Sequence, residues 1–128
     1  MENKKILLVD DDEIVHLTFE HLLTEKGFEV EIAQSGEEAI EKLSKNSSYD
    51  LVITDLRMHG ASGVDVFKKT LEVNANICVM VMSGFGGESP LFKEAMELKP
   101  CSHAFKPFSD EEFLEKVHLC LEEQVSGG

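Results

Sequence analysis

Residues 49–60 read YDLVITDLRMHG, and the rest of the chain is organised around this stretch. Leu51, Val52 and Ile53 form an apolar run, which is typical of a strand buried on both faces of a parallel sheet. Such a strand would carry Asp55 to its carboxyl end, where open α/β sheets bind their ligands. Asp55 is therefore a candidate nucleophile or metal ligand, although an aspartate here could also simply begin a turn.

Apolar runs of strand length alternate with segments of helical period, and no Pro-, Gly- or Ser-rich linker interrupts them. Five runs are predicted as strands, at residues 6–9, 28–33, 51–53, 77–82 and 102–105. Helical spacing is clear at Val15, Phe19 and Leu22. Four serines that precede helical segments are predicted N-caps: Ser35, Ser62, Ser89 and Ser109. Because such β-α alternation requires right-handed crossovers, we predict a single doubly wound α/β domain with a parallel sheet covered by helices on both faces.

The size and charge of the chain limit its function to one small site or surface. Its 128 residues suffice for one core. The net charge of −13 argues against direct binding of nucleic acid or an anionic membrane, so basic proteins or metal ions are better partners. No apolar run is long enough for a signal peptide or a membrane span, so we expect a cytoplasmic protein. We expect residues 1–125 to form the domain and residues 126–128 a flexible tail.

The cysteines and histidines show no metal-binding spacing. Cys78, Cys101 and Cys120 are odd in number and contain no C-x-x-C pair, so we predict buried thiols in a reducing compartment. The five histidines also lack ligand spacing within one helix, and all except His103 are expected at the surface or rim: His16, His21, His59, His103 and His118.

Polar residues follow the predicted strands at their carboxyl ends: Asp10 and Asp11, Asp55, Ser83 and Lys106. Because these ends meet at one edge of a parallel sheet, the side chains should converge. Converging carboxylates need a cation, and hard oxygen ligands favour Mg²⁺. Carboxylates, a metal, a lysine and a hydroxyl suit phosphoryl transfer. Each residue alone has a structural explanation, such as a helix start or a turn, but their joint placement favours a site.

The chain resembles the receiver domain of two-component response regulators from Lys5 to about Glu123. The segments that carry the resemblance are residues 9–11, 53–55, 81–84 and 105–108, which read VDD, ITD, VMSG and FKPF. They match the family's acidic pair, phosphoacceptor, switch hydroxyl and lysine. The resemblance implies a flavodoxin-like strand order of 2-1-3-4-5 with five helices.

The resemblance also implies a phosphorylation-activated signalling switch. Asp55 would accept a phosphoryl group from a histidine kinase or histidine phosphotransfer protein. Asp11, Asp55 and the backbone carbonyl of Arg57 would bind Mg²⁺ directly, and Asp10 would bind it through water. The protein would catalyse only its own phosphorylation and dephosphorylation, so we do not expect an enzyme in the usual sense. Output would pass to an unknown downstream protein by direct contact.

Further roles follow from the same resemblance. Ser83 and Lys106 would hold phosphoryl oxygens, and Ser83 with His103 would form the switch that reaches the output surface. Arg57 and Phe85 would flank the path of the attacking water, and a bulky pair there predicts slow self-dephosphorylation.

Three positions depart from the family pattern. His59 stands where the family usually has proline, and Lys99 and Pro100 replace the usual Gly-Ala. His103 replaces the usual tyrosine or phenylalanine. None of these is a metal or phosphoryl ligand, so we expect phosphorylation to be retained and the output surface to differ.

Two alternatives are open. A haloacid-dehalogenase-like phosphatase also has Asp10-x-Asp12 after a strand, a serine and a downstream lysine. It would need a further acidic pair and usually a cap, whereas only one helix follows Lys106. The chain could also be a receiver excised from a larger regulator or hybrid kinase, since these 128 residues contain no effector domain.

Overall fold

The computed structural model describes residues 4–84 and 86–126, with side chains as far as residue 121. The strands are β1 Lys5–Val9, β2 Glu29–Ala33, β3 Leu51–Asp55, β4 Cys78–Ser83 and β5 Ser102–Phe105. The helices are α1 Glu13–Glu25, α2 Gly36–Lys45, α3 Gly63–Val73, α4 Pro90–Glu97 and α5 Asp110–Ser126. Of the predicted tail, only Ser126 is described, as the last residue of α5. Phe85 lies outside the described residues.

The five strands form one parallel sheet in the order β2-β1-β3-β4-β5, which confirms the predicted topology. Asp55 pairs with Met82 across β3 and β4, and Ser83 pairs with Phe105 across β4 and β5. The carboxyl ends of these three strands therefore meet at one edge of the sheet. Among the described helices, none is both long and apolar enough to cross a membrane.

A hydrophobic core lies on each face of the sheet because strand residues alternate between the faces. Leu7 and Val52 face the core formed with α2, α3 and α4. Leu8 and Ile53 face the core formed with α1 and α5. Every residue of β3 and β4 is buried, as expected for central strands of a sheet covered on both sides. The sheet is therefore a rigid base for the residues at its edge.

Three of the four predicted serine caps make the expected hydrogen bonds. Ser62 forms a full capping box at the start of α3. The Ser109 hydroxyl accepts from the backbone N–H of Glu112 at 3.0 Å, and the Ser35 hydroxyl caps α2 in the same way. Ser89 makes no side-chain cap hydrogen bond. α4 instead begins at Pro90, whose missing N–H requires no partner at the first helical position.

The buried face of α1 differs from the predicted stripe. We predicted Val15, Phe19 and Leu22, whereas the buried residues are His16, Phe19 and Leu23. The Phe19 ring stacks on Phe113 of α5 at a centroid distance of 4.0 Å, and this packing decides how α1 is rotated. The expectation that His16 lies at the surface or rim is therefore wrong, since it is only 5% exposed.

Lys99 follows α4 in a left-handed conformation with φ of 61°. This is the position at which the family usually has glycine, which adopts positive φ without steric cost. The departure predicted from the sequence therefore coincides with a locally strained backbone.

Candidate functional site

Asp55 is the last residue of β3, and its backbone is held from several sides. The Thr54 hydroxyl donates to the Asp55 carbonyl at 2.8 Å, and the Leu56 N–H donates to Asp55 Oδ1 at 3.0 Å. Gly63 packs so closely against the Asp55 carbonyl that a Cβ atom there would collide with it. Asp55 is only 8% exposed. Its carboxylate is thus positioned by rigid neighbours rather than by a mobile loop.

Asp10, Asp11 and Asp55 form an acidic cluster in which one carboxylate oxygen from each lies within 4.8 Å of the others. Asp10 is fully buried, and Asp11 is exposed. The His59 N–H donates weakly to Asp11 Oδ2 at 3.4 Å, which connects the loop after β3 to the cluster. Three carboxylates this close repel one another, and such an all-oxygen set suits a hard divalent cation.

Lys106 brings a positively charged side chain into contact with two carboxylates of the acidic cluster. Its Nζ donates to Asp10 Oδ2 at 3.0 Å and lies 3.5 Å from Asp55 Oδ2. The backbone N–H of Lys106 donates to the Ser83 carbonyl at 2.8 Å, which ties the residue after β5 to the end of β4. Lys106 therefore neutralises part of the acidic cluster and is anchored to the strand that carries Ser83.

Burial and charge perturb both ends of this ion pair. Burial, together with the charge of Asp10, raises the pKa of Asp55 from its ordinary 3.8 to about 6, against the opposing effect of Lys106. Burial by itself lowers the pKa of Lys106. The hydrogen bond to Asp10 and the charge of Asp55 outweigh it, so the pKa is raised. The site thus holds the positively charged Lys106 beside Asp55, whose negative charge is disfavoured by burial and by Asp10.

Ser83 is the last residue of β4 and is 3% exposed. It follows Met82, the register partner of Asp55, so it lies beside Asp55 at the same edge. Gly84 is exposed, and among the described residues no heavy atom beyond its chain neighbours would lie within 4 Å of an added Cβ atom. The edge next to Ser83 is therefore accessible from solvent, as a phosphoryl group would require.

The structure brings together Asp10, Asp11, Asp55 and Lys106, with Ser83 at the adjoining strand end. Arg57 is exposed in the loop after β3. His103 lies on β5 away from the cluster, where its ring contacts Phe92 and Phe105 at centroid distances of 5.4 and 5.5 Å. It belongs to the surface between α4 and β5 rather than to the acidic crevice. Phe85, predicted to flank the site, lies outside the described residues.

Asp12 has a structural role. Its carboxylate accepts from the Ile14 N–H at 2.9 Å and caps α1, while its own N–H donates to Asp10 Oδ1 at 3.0 Å. The third acid of the run therefore starts a helix instead of joining the cluster. This placement removes the Asp10-x-Asp12 arrangement on which the phosphatase alternative depended.

Glu37 is a contributor that the sequence reasoning missed. Its Oε2 accepts from the Ala61 N–H at 2.7 Å, so the start of α2 holds the loop after β3. Gly60 adopts φ of 77° and packs against the Glu37 carboxylate. Glu37 and Ala61 lie 24 residues apart, so no local sequence pattern connects them. The local signal in the sequence was Gly60, a residue type that tolerates positive φ.

The family model described as the response regulator receiver domain matches residues 6–118. Sporulation initiation phosphotransferase F of Bacillus subtilis is 30% identical over 94% of this chain and 96% of its own length. The transcriptional regulatory protein FixJ of Rhizobium meliloti is 31% identical over 98% of this chain and 61% of its own. The chain spans about half the length of other curated regulators that it matches.

Solved structures agree with this relationship. A receiver protein from Sinorhizobium medicae is 32% identical, has a TM-score of 0.84, and is matched over 96% of this chain and 98% of that one. A CheY-like receiver domain from Methanospirillum hungatei has a TM-score of 0.92 over 99% of this chain and all of that one, and at 24% identity it supports the fold alone. The fold, the acidic edge and these matches together show that the chain belongs to the receiver domain family of two-component response regulators, which act as phosphorylation switches.

Proposed function

We propose that Asp55 accepts a phosphoryl group from the phosphohistidine of a kinase or phosphotransfer protein. The observation that carries this proposal is the cluster of Asp55 with Asp10, Asp11 and Lys106 at the open edge of the sheet. In the transfer, an Asp55 carboxylate oxygen forms the new bond to phosphorus while the phosphorus–nitrogen bond of the donor breaks. The electron pair of that bond stays with the donor imidazole.

The residues present fit Mg²⁺. Asp11 and Asp55 would hold the ion directly with the backbone carbonyl of Arg57, and Asp10 would hold it through water. When bound, Mg²⁺ supplies positive charge beside the transferring oxygens. The exposed Asp11 faces solvent, which suits a ligand that must accept an ion from solution.

Lys106 and Ser83 would stabilise the transferred group. The Lys106 ammonium lies 3.5 Å from Asp55 Oδ2, so it can pair with a phosphoryl oxygen after small movements. Ser83 at the adjoining strand end would donate a hydrogen bond to a second oxygen. Movement of Ser83 toward the group would open space near His103 on β5 and so alter the output surface.

A protein donor is supported by two exposed apolar residues on α1. Ile14 is 73% exposed and Leu17 is 70% exposed, and at three residues apart they lie on one face of the helix. α1 begins three residues after Asp10, so this face adjoins the acidic edge. A helix of a kinase or phosphotransfer protein could bury both side chains and bring its histidine to Asp55.

Output would pass to an unidentified cytoplasmic target protein through the surface of α4, β5 and α5. Phe105 is 41% exposed there and contacts Phe92. The chain would catalyse only its own phosphorylation and dephosphorylation. Arg57 and Phe85 would slow the attack of water on the acyl phosphate, so Phe85→Ala should shorten its lifetime.

Phosphorylation by acetyl phosphate in the presence of Mg²⁺ tests the proposal. Intact-mass analysis should show one added phosphoryl group in the wild type and none in Asp55→Asn, because an amide is a poor nucleophile and a poor ligand. Asp50→Asn is a matched control, since Asp50 immediately precedes β3 at its opposite end and accepts from the Lys5 N–H at 2.8 Å. It should be labelled like the wild type. Labelling of Asp55→Asn at the wild-type rate would disprove the assignment.

The metal role needs its own measurement. Asp11→Ala should raise the Mg²⁺ concentration required for half-maximal labelling, because the ion loses a charged ligand. An unchanged Mg²⁺ titration would contradict this role. Sustained hydrolysis of a generic phosphomonoester by the wild type would instead indicate a phosphatase.

A further inference from the structure

The three cysteines lie on the α5 side of the sheet, and Cys78 and Cys101 stand at the amino ends of β4 and β5, opposite the acidic edge. Cys78 is the first residue of β4, Cys101 immediately precedes β5, and Cys120 lies in α5. The Cys78 thiol donates to the Cys120 carbonyl at 3.3 Å. Cys101 packs against the hydrophobic cluster that contains Cys78 and Cys120, and its backbone N–H donates to the carbonyl of Val79, the residue after Cys78, at 2.8 Å. All three cysteines therefore lie in one region of the core.

The members of the cluster differ in exposure. Cys120 is fully buried, and Cys78 is 7% exposed. Cys101 is only half-buried, which corrects the prediction of three buried thiols. A small reagent from solvent can therefore reach Cys101 first.

The surroundings of Cys101 favour its reactive form. The hydrogen bonds to Cys120 and Cys78 lower the pKa of the Cys101 thiol, with a smaller contribution from the backbone at Val79, and they outweigh the effect of burial. The thiolate is the form of cysteine that attacks oxidants and disulfides. An accessible thiolate with a neighbouring second thiol is the arrangement found in redox-sensing cysteines.

We propose that Cys101 and Cys120 are a redox-active pair that forms a disulfide when the protein meets a peroxide. The Cys101 thiolate attacks one peroxide oxygen, the O–O bond breaks, and the departing hydroxide takes a proton to become water. The sulfenic acid on Cys101 is then attacked by the Cys120 sulfur, which loses its proton. The S–O bond breaks, a second water leaves, and the S–S bond forms. The two sulfurs together lose the two electrons that reduce the peroxide.

Cys120 is the favoured resolving residue. The Cys78 thiol is already engaged with the Cys120 carbonyl. A bond between Cys101 and Cys120 would enclose β5, Lys106 and most of α5 in one covalent loop. Oxidation would thereby restrain the segment that holds both the site lysine and part of the output surface.

The test uses the reduced full chain treated with hydrogen peroxide. We expect the intact mass to fall by two hydrogens, one free thiol to remain after unfolding, and peptide mapping to join residues 101 and 120. Dithiothreitol should restore all three thiols. Three free thiols after treatment of the folded protein would overturn the proposal, as would a bond from Cys101 to Cys78 or to a second chain.

Variants separate the two roles. Cys78→Ala should form the same disulfide, whereas Cys101→Ser should retain its two thiols. Cys120→Ala should form a sulfenic acid on Cys101 that a dimedone probe labels, and an unlabelled protein would contradict the assignment. A measurement on the wild type avoids any folding defect of these variants: iodoacetamide should alkylate Cys101 before Cys78 and Cys120. Equal alkylation of all three in the folded protein would also disprove the proposal. None of these readouts depends on phosphorylation of Asp55.

Discussion

Lys106 Nζ lies 3.0 Å from Oδ2 of Asp10, a fully buried carboxylate that is 96 residues distant in sequence. The same ammonium lies 3.5 Å from Asp55. A buried carboxylate is costly unless a charge and hydrogen bonds compensate it. Lys106 therefore stabilises the fold at the acidic edge as well as being available to a phosphoryl group.

Lys106→Met should destabilise the protein by about 1–3 kcal/mol, because Asp10 is left buried without its counterion. Urea unfolding in buffer without divalent ions measures the change. The double variant Asp10→Asn, Lys106→Met should lose less than the sum of the single variants, since the unpaired charge is then absent. Additive losses would show that the pair does not stabilise the fold.

Asp55→Asn should stabilise the protein at pH 7 in the absence of divalent ions. The pKa of Asp55 is about 6 in the folded state against an ordinary 3.8, so the folded state binds the proton more tightly. The resulting stabilisation is full below about 3.8 and is lost as the pH rises through about 6. At pH 7 the amide should therefore be more stable by about 1–3 kcal/mol. Urea unfolding between pH 4 and pH 7 should show this gain shrinking toward pH 4, and a constant difference would contradict it.

His103 should titrate below its ordinary value in NMR spectra. Burial, and then the charge of Lys116 on α5, lower the pKa of the His103 ring. The unfolded state then binds the proton more tightly, so this histidine's contribution to stability is full above 6.5 and is lost as the pH falls below it. His103→Phe should lack this loss. Equal acid sensitivity of the two proteins would exclude a contribution from His103.

Because His103 can gain a proton, we expect the response of the output surface to depend on pH. If the ring must move inward when Ser83 moves, a protonated imidazole should resist because burial disfavours its charge. The chemical shifts of the surface of α4, β5 and α5 should therefore respond less to beryllofluoride at about one pH unit below the histidine reference value than at one above it. His103→Phe should respond equally at both. Equal responses in the wild type would remove His103 from the mechanism.

Gly63→Ala should destabilise the protein by about 2 kcal/mol or more and slow labelling of Asp55. The new Cβ would collide with the Asp55 carbonyl and come within 2.8 Å of Leu56 Cα, both of which are backbone atoms that cannot rotate away. Gly87→Ala is the control, because its nearest contacts would be ordinary at 3.8 Å. Urea unfolding and acetyl phosphate labelling of both variants check the prediction. Wild-type values for Gly63→Ala would refute it.

His16→Leu should stabilise the protein by about 1 kcal/mol. His16 Nε2 is buried and has no hydrogen-bond partner among the described residues, so removing it relieves an unsatisfied polar group. His21→Leu on the same helix is the control, since its side chain is 72% exposed, and it should change stability by less than about 0.5 kcal/mol. Thermal and urea unfolding measure both. A loss of stability in His16→Leu would indicate that the imidazole has a partner in solution.

Much of the fold follows from local patterns in the sequence. The apolar runs, the helical spacing and three of the serine caps can be read within short windows, because strands and helices impose periods of two and 3.6 residues. The edge residues Asp10, Asp55, Ser83 and Lys106 could be identified because parallel strands place all their carboxyl ends on one side.

Only the tertiary structure decided which of these groups touch. The contacts of Lys106 with Asp10 and of Glu37 with Ala61 depend on loop paths that no local period encodes. The rotation of α1 depends on the stacking of Phe19 on α5, and so the burial of His16 could not be read from its own helix. The three cysteines met for the same reason: side chains distant in sequence become neighbours through the packing of whole elements, which depends on the shapes of both partners.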